Sequence, residues 1–353
     1  MSDPDPTALR GPLLWCLLAA LLFGASTPFA KLLLNDFGPF TLSGLLYLGA
    51  ALAVLPLAGR GGSFATARSP RNLVLLAGAI LFGGVLGPVL LLYSLQRASA
   101  ASVSLWLNLE TVGTALLAWL FFKEDLGPRT VAAVGLVTAG GLCLTWPFAP
   151  AAVSAVLFIA GAALCWGLDN NFSALIDGFT PAQSTIAKGA VAGSVNLALG
   201  LLIEGNPVAA AGSTWLLLAA LALGGLGYGL SLLLYVRGAQ HLGATRSQLV
   251  FAAAPFLGTA LSWLLLSEPV LAVQLLASLL MAAGIGFMVL ERHSHHHLHQ
   301  AQRHTHSHRH DDGHHDHQHE GLPATYRHTH EHEHQGVEHS HPHRPDLHHR
   351  HEH

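Results

Sequence analysis

Two carboxylates stand inside long apolar stretches of the chain. Glu110 lies within the stretch 99–122, and Asp169, followed by Asn170, lies within 151–173. A charged side chain at the centre of a bilayer is unfavourable by about 2.5–3.5 kcal/mol, and such residues usually face a cavity or a partner. We predict that Glu110, Asp169 and Asn170 line a site that binds a cation or exchanges a proton. The alternative is a structural role, in which hydrogen bonds or an ion pair hold two helices together.

Three further residues are candidates because each could share a helix face or form an ion pair with one of the two acids. Trp106 precedes Glu110 by one helical turn, so a continuous helix would place both residues on one face. Lys188 either pairs with Asp169 or extends its ammonium group to the membrane surface. Lys31 stands near the end of the first apolar stretch, where it either extends to the surface or pairs with Glu110.

The last 63 residues have a different composition from the rest. Of the 25 histidines, 24 follow residue 291, and many alternate with Thr, Ser or Glu. The segment 291–353 has no apolar periodicity, so we expect it to be a disordered tail. Neutral imidazole is a good ligand for Ni²⁺, Co²⁺, Cu²⁺ and Zn²⁺. The predicted metal ligands are His295, His297, His304, His306, His308, His310, His328, His330, His332, His334, His339, His341 and His343.

A second interpretation of the tail is a pH sensor, since histidine changes its charge near about pH 6.5. We expect no required cofactor, and divalent transition metal ions on the tail are the candidates for bound metal. The three cysteines lie in apolar segments without a C-x-x-C pair. Neither a disulfide framework nor a thiolate metal site is therefore expected.

Ten apolar segments must position the candidate residues. Only 10% of the chain is charged, and its mean hydropathy is +0.45 despite the polar tail. Crossing about 30 Å of hydrocarbon takes roughly 20 mostly apolar residues. The predicted spans are 12–34, 38–58, 72–95, 99–122, 129–147, 151–173, 181–203, 213–236, 244–266 and 270–290. Basic residues concentrate at alternate connections, which places both termini in the cytoplasm and the chain in the cytoplasmic membrane.

The two halves of the apolar region repeat each other with a shift of 142 to 145 residues. The longest match pairs Gly113-Thr114-Ala115-Leu116 with Gly258-Thr259-Ala260-Leu261. Each half has five spans, an odd number, so the second half must lie inverted relative to the first. Inverted repeats typically hold a substrate site near the midplane. The fold class predicted is an all-α polytopic membrane protein of ten transmembrane helices in two inverted five-helix repeats, with a disordered tail. The boundaries are 1–11 for the cytoplasmic N-terminus, 12–147 and 151–290 for the repeats, and 291–353 for the tail.

The sequence resembles the drug/metabolite transporter superfamily, specifically its ten-helix branch with two EamA repeats. The resemblance is carried by 23–31, by Tyr93 ahead of 98–102, by 117–124, by Trp166-Gly167 with Tyr235, and by Pro255 thirteen residues before Glu268. Thr111 stands where the first half would usually have a proline. The resemblance implies transport and suggests cavity roles for Lys31, Tyr93 and Tyr235. Asn108-Leu109-Glu110 together with 165–171 resembles one particular branch, which adds Asn108 to the candidates.

We therefore expect a secondary transporter and not an enzyme. No G-x-x-x-x-G-K-[ST] loop is present, so the chain itself does not use a nucleotide to drive transport. The leading prediction is export of a divalent transition metal, Ni, Co or Zn, with the tail capturing or sensing it. One alternative is export of an organic metabolite or amino acid with a metal- or pH-sensing tail, and another is a non-transporting membrane metal sensor. The expected partners are the lipid bilayer and a small-molecule or metal-ion substrate, with no nucleic acid and with a homodimer left open.

Overall fold

Helices fill the region before the tail. The computed structural model of the chain describes residues 10–57, 69–122, 127–146, 149–176, 179–205, 214–242, 244–289, 293–298, 302–308, 328–334 and 338–343. The helices in chain order are α1 (Arg10–Leu33), α2 (Pro39–Val54), α3 (Pro70–Ala79), α4 (Gly87–Arg97), α5 (Ala100–Trp106), α6 (Leu109–Phe122), α7 (Pro128–Cys143), α8 (Pro150–Ala174), α9 (Pro181–Ile203), α10 (Thr214–Gly224), α11 (Ser231–Leu242), α12 (Ala244–Phe251), α13 (Ala254–Leu265) and α14 (Ala272–Val289).

Local sequence fixes where several of these helices begin. Helices α2, α3, α7, α8 and α9 start with a proline in their first turn, where the missing N–H has no helical acceptor to lose. Ser69, Ser99 and Thr180 cap α3, α5 and α9 by accepting a hydrogen bond from a backbone N–H of the first turn. These signals separate apolar segments that hydropathy alone would leave without sharp ends.

The predicted membrane architecture is confirmed. Within the described residues, seven helical stretches are long and apolar enough to cross a membrane, and three shorter apolar helices accompany them, Pro39–Val54, Pro128–Cys143 and Ala272–Met288. Together they correspond to the ten predicted spans to within a few residues. Many large apolar side chains on these helices, such as Leu202 and Trp215, are exposed, as expected for surfaces that face lipid.

The first helix of each half packs on two helices of the other half. Helix α1 of the first half packs on α11 and α13, while its repeat equivalent α8 packs on α4 and α6. Gly24 and Gly258 lie at the first contact, where a Cβ at Gly258 would be 2.7 Å from the Gly24 carbonyl oxygen. Gly167 and Gly113 are their repeat equivalents, and a Cβ at Gly167 would be 3.0 Å from the Gly113 carbonyl carbon. Small residues thus allow close helix approach at matching places in both halves.

Two glutamates of the second half cap helices of the first half. The Glu204 carboxylate accepts hydrogen bonds from the backbone N–H groups of Phe40 at 2.8 Å and Thr41 at 3.0 Å, at the start of α2. The Glu268 carboxylate accepts from Ala100 at 2.7 Å and Ala101 at 2.9 Å, at the start of α5. Each carboxylate satisfies two N–H groups that have no partner inside their own helix.

The predicted span 99–122 is broken. Helix α5 ends at Trp106 and α6 begins at Leu109. In the first turn of α6 the Glu110 N–H donates to Leu107 O at 3.0 Å, so the α-helical pattern does not continue from α5. The break does not need the usual proline, since the Thr111 hydroxyl donates to Asn108 O at 2.6 Å. In the second half, α12 and α13 are interrupted at the equivalent place, 252–253.

A second irregularity also occurs in both halves. The chain forms a π-helical segment at Ile80–Leu86, between α3 and α4, and another at Gly225–Leu230, between α10 and α11. Such segments leave carbonyl oxygens free for other donors and are frequent at functional sites. In the first half, the Gly84 and Val85 carbonyls accept from Asn196 Nδ2 of α9 at 3.2 and 3.3 Å.

The structure describes four segments of the tail. Its backbone forms four strands, β1 (His293–Leu298), β2 (Gln302–His308), β3 (His328–His334) and β4 (Glu338–His343). Strand β1 pairs with β4 and β2 with β3, both antiparallel. The alternation of His with Thr, Ser or Glu has the period of two that an extended strand requires. In register, His304 is opposite His332, and His295 is opposite His341.

Candidate functional site

Glu110 and Asn170 meet between the two halves. The Asn170 Nδ2 group of α8 donates to Glu110 Oε1 at 2.9 Å and to the Thr114 hydroxyl of α6 at 3.3 Å. Among the described residues, no lysine, arginine or histidine lies within ion-pair distance of Glu110. Its carboxylate lies in the first turn of α6, where the helix dipole favours a negative charge. A carboxylate with an amide donor and no counter-ion is suited to receive a cation.

Asp169 has a cation of its own. Lys188 Nζ of α9 lies 2.5 Å from Asp169 Oδ1 and donates to the Ser173 hydroxyl at 3.2 Å. The Ser173 hydroxyl in turn donates to Asp169 Oδ1 at 2.9 Å. The ion pair is largely removed from water, because the side chains of Lys188 and Asp169 are only 20% and 13% exposed. Of the two interpretations of Lys188, the structure shows the pair with Asp169.

The first π-helical segment, Ile80–Leu86, packs against the Asp169 carboxylate. A Cβ added to Gly83 would collide with Asp169 Oδ2, so the absence of a side chain there makes room for the carboxylate. The Gly83 carbonyl accepts hydrogen bonds from the Tyr47 hydroxyl at 2.6 Å and from Trp166 Nε1 at 3.2 Å. Tyr47 and Trp166 thereby hold the backbone of the segment against α2 and α8.

Glu110, Asp169 and Lys188 belong to one electrostatic group. Asp169 and Lys188 both interact electrostatically with the Glu110 carboxylate. The three charges come from α6, α8 and α9, so both halves of the chain contribute. We define these residues, with Asn170, Ser173 and Thr114, as the central polar cluster. It carries two carboxylates and one ammonium group.

Trp106 and Asn108 do not join the central polar cluster. Trp106 is 1% exposed and donates through Nε1 to Gly141 O of α7 at 2.9 Å. Asn108 is 3% exposed and donates to Leu105 O at 2.9 Å and to the Met281 sulfur of α14 at 3.6 Å. The break after Trp106 is the physical reason, since it ends the helical register that would have placed Trp106 on the face of Glu110.

Lys31, Tyr93 and Tyr235 also lie elsewhere. The Lys31 ammonium donates to the carbonyls of Leu95 and Ala98 at the end of α4, the second at 3.1 Å, and therefore does not pair with Glu110. Tyr93 stacks on Phe158 with ring centroids 5.4 Å apart. The Tyr235 hydroxyl donates to Gln248 Oε1 at 2.7 Å. These three residues join helices to one another.

The tail histidines form a separate group. Twelve of the thirteen predicted metal ligands lie on strands β1 to β4, for which the structure describes the backbone. His310 lies outside the described residues. Among the residues whose side chains are described, no group of three or more His, Cys, Asp or Glu side chains is placed to hold a metal ion. The three cysteines are free thiols.

Comparison with known proteins identifies the family. The model of the EamA-like transporter family matches residues 10–146 and again 153–290, one match for each repeat. The chain belongs to the EamA-like transporter family. It is 26% identical over 291 residues to an uncharacterized transporter of Methanothermobacter thermautotrophicus, covering 76% of this chain and 82% of that protein. A solved crystal structure of a protein that is 22% identical in sequence supports the fold. The match covers 79% of this chain and 96% of that protein's chain, with a TM-score of 0.53.

The sequence did not single out four residues of this EamA-like transporter for the site: Ser173 and Thr114, which belong to the central polar cluster, and Tyr47 and Gly83, which adjoin it. Tyr47 lies in an apolar helix with no nearby charge, and Ser173 follows Asp169 by one turn without a motif of its own. Gly83 has no side chain, so its residue type gives no chemical signal. The spacing of Asp169 and Ser173 (i, i+4) was the one signal available, because it places both on one helix face.

Proposed function

We propose that this EamA-like transporter exports a small cation across the cytoplasmic membrane, with both termini in the cytoplasm. The observation that carries this proposal is the Glu110 carboxylate, which follows a break in a membrane-spanning helix and has an amide donor but no described counter-ion. Broken helices at matching places in two inverted repeats are the typical location of a transporter's substrate site. A cation bound at Glu110 would have the Thr114 hydroxyl as a further oxygen neighbour.

The leading substrate is a divalent transition metal ion, Ni²⁺, Co²⁺ or Zn²⁺. The support comes from the two carboxylates of the central polar cluster and from the histidines of the tail, which would capture or sense the metal. Opposed positions such as His304 and His332, or His306 and His330, bring the backbones of two histidines together in an antiparallel pair. Opposed residues in such a pair have Cβ atoms about 4.5–5.5 Å apart. Two imidazoles from such positions can coordinate one metal ion.

A second candidate is an organic cation such as an amine or amino acid, with a metal- or pH-sensing tail. The ion pair between Lys188 and Asp169 favours it, because only one carboxylate of the cluster is free of a lysine. A metal ion would need more oxygen or nitrogen ligands than Glu110 alone provides, whereas an ammonium group can be bound by one carboxylate and a hydroxyl. Membership of a transporter family supports both candidates over a membrane metal sensor that transports nothing.

Metal content of cells tests the leading proposal. Cells that express the full chain, a truncation after Arg292, or Glu110→Gln would be compared for nickel, cobalt and zinc content and for growth inhibition. We expect the full chain to lower the content of at least one metal and Glu110→Gln to abolish the effect, since the amide cannot neutralise a cation. The control is Asp36→Asn, which removes an exposed carboxylate from a turn and should behave as the full chain.

The same cells separate the two candidates. Unchanged content of all three metals would disprove metal export. A metal-dependent change in the release of amino acids or amines would then support the organic substrate with a sensing tail. If Glu110→Gln transports normally while the truncation loses metal binding, the site at Glu110 is wrong and the role of the tail stands.

A further inference from the structure

The partner of Asp169 is the most unusual feature of the central polar cluster. Asp169 Oδ1 receives both Lys188 Nζ and the Ser173 hydroxyl, while its Oδ2 lies against the backbone of Gly83. Asn170, the residue after Asp169, donates to Glu110, and this amide is the only hydrogen-bond donor described for the Glu110 carboxylate. The two carboxylates are therefore engaged differently: Asp169 by a cation of the protein, and Glu110 by an amide alone.

The charges of the cluster indicate what kind of substrate could use both acids. Glu110 and Asp169 together carry two negative charges, which match a divalent cation. Asp169 Oδ2 lies against Gly83, so such an ion would have to use Oδ1. It cannot do so while Lys188 occupies Oδ1, because two positive groups would then share one carboxylate oxygen in a region of low dielectric constant. Full use of the cluster therefore requires that Lys188 moves away from Asp169.

Lys188 is suited to such a movement. Its ammonium is a compact charge on a flexible four-carbon stem, in contrast to the rigid planar fork of arginine. Such a stem can extend along apolar helix surface and place its charge in water. The Ser173 hydroxyl would still hold the Asp169 carboxylate in place after Lys188 had left, since both residues lie on α8 one turn apart.

We propose that Lys188 is an internal substitute for the transported divalent cation. It occupies Asp169 when the transporter is empty and yields that carboxylate when the cation binds between Asp169 and Glu110. This proposal rests on the proposed function and extends it to a dication that uses both acids. An empty transporter without Lys188 would have to change conformation with two uncompensated carboxylates, Asp169 and Glu110, in place of one, and each uncompensated buried charge is strongly unfavourable. Lys188 thus allows the empty protein to return, so that net export becomes possible instead of obligatory exchange.

Two transport modes distinguish this role from simple substrate binding. The full chain in liposomes would be loaded with Ni²⁺ or with 1,4-diaminobutane, two dications of different chemistry. Net efflux is measured into a medium without the cation, and exchange with the cation on both sides. For Lys188→Ala we expect net efflux to fall at least about tenfold, exchange to stay near the wild-type rate, and the half-saturating concentration for exchange to fall because the competitor is gone.

Two further variants make the test specific. Lys188→Arg keeps a cation beside Asp169, so it should retain net efflux but need more substrate for half-saturation, because arginine binds a carboxylate with two hydrogen bonds. Arg71→Gln removes an exposed positive charge at the start of α3 and should leave both modes unchanged.

Each result decides between the proposals. Equal losses of efflux and exchange in Lys188→Ala would contradict the proposal that Lys188 substitutes for the cation. Unchanged net efflux in this variant would contradict it as well. A wild-type chain that neither releases nor exchanges either dication would disprove dication transport and the role of Lys188 with it. If the wild-type chain shows both net efflux and exchange and Lys188→Ala behaves identically, the proposed function stands and only the proposed role of Lys188 is wrong.

Discussion

At the scale of residues, one short sequence supplies contacts to three different partners. Asp169 pairs with Lys188, Asn170 donates to Glu110, and Asn171 donates to Gly167 O of its own helix at 2.7 Å. Consecutive residues on a helix are about 100° apart, so they cannot share one face. Part of this group must therefore meet neighbouring helices. Which partner each residue takes depends on helix packing and could not be derived from the spacing alone.

Gly83 provides a test of how closely the Asp169 carboxylate must be placed. In Gly83→Ala the new methyl group would occupy the position of Asp169 Oδ2 and push the carboxylate away from the π-helical segment. We expect the transport rate to fall about tenfold or more, since displacements near 1 Å at a reacting or binding group can cost that much. The rate is measured in liposomes with equal amounts of folded protein.

Gly135→Ala is the matched control for Gly83→Ala. Gly135 also lies in a helix, but a Cβ there would have no other atom within 4 Å. Alanine is favoured over glycine within a helix by about 1 kcal/mol, so this variant should transport normally with equal or higher stability. Normal transport by Gly83→Ala would show that Asp169 need not lie against this segment.

At the scale of elements, the sequence predicted the helices well and their interruptions poorly. The ten spans follow from hydropathy, because a stretch of about 20 apolar residues is long enough to cross the bilayer. The break at Leu107 and Asn108 and the π-helical segment at Ile80–Leu86 do not change the apolar character of the chain, so hydropathy does not reveal them. Thr111 in place of proline also removed the usual signal of a broken helix. For this reason Trp106 was predicted on the face of Glu110 and lies elsewhere.

The two capping glutamates should contribute to stability. In Glu204→Gln or Glu268→Gln an amide replaces a carboxylate that accepts two backbone hydrogen bonds, and only one amide atom is an acceptor. Each variant should lower the free energy of unfolding by about 1–2 kcal/mol, the usual effect of losing a helix cap. Unfolding in mixed detergent micelles measures the change. Asp36→Asn, in an exposed turn, should stay within about 0.5 kcal/mol of the wild type, and a similarly small change at Glu204 would contradict the capping role.

At the scale of the whole molecule, the repeat explains why the site draws on both halves. Equivalent helices exchange partners, α1 with α11 and α13 and α8 with α4 and α6. The acid from the first half, Glu110, therefore meets residues of the second half at α8. The equivalent position near Pro255 carries no acid. The two halves are therefore alike in packing and unequal in chemistry: the helix break of the first half is followed by a carboxylate, and the equivalent break of the second half is followed by Ala254 and Pro255.

The tail allows a test in the full chain because histidines alternate with hydroxyl residues. His304→Ala with His306→Ala removes two positions that stand opposite His332 and His330, whereas Thr305→Ala with Ser307→Ala changes the intervening positions. At about pH 7.5, where imidazole is neutral, we expect the first pair of substitutions to lower the amount of Ni²⁺ bound at saturation by about a third, since two of the six opposed histidine pairs on the described strands lose one of their two linked ligands. The second pair should leave it unchanged. Equilibrium dialysis measures binding, and at about pH 5 both proteins should release the metal because protonated imidazole cannot coordinate it. Equal weakening by both pairs would show that the alternation does not determine metal binding.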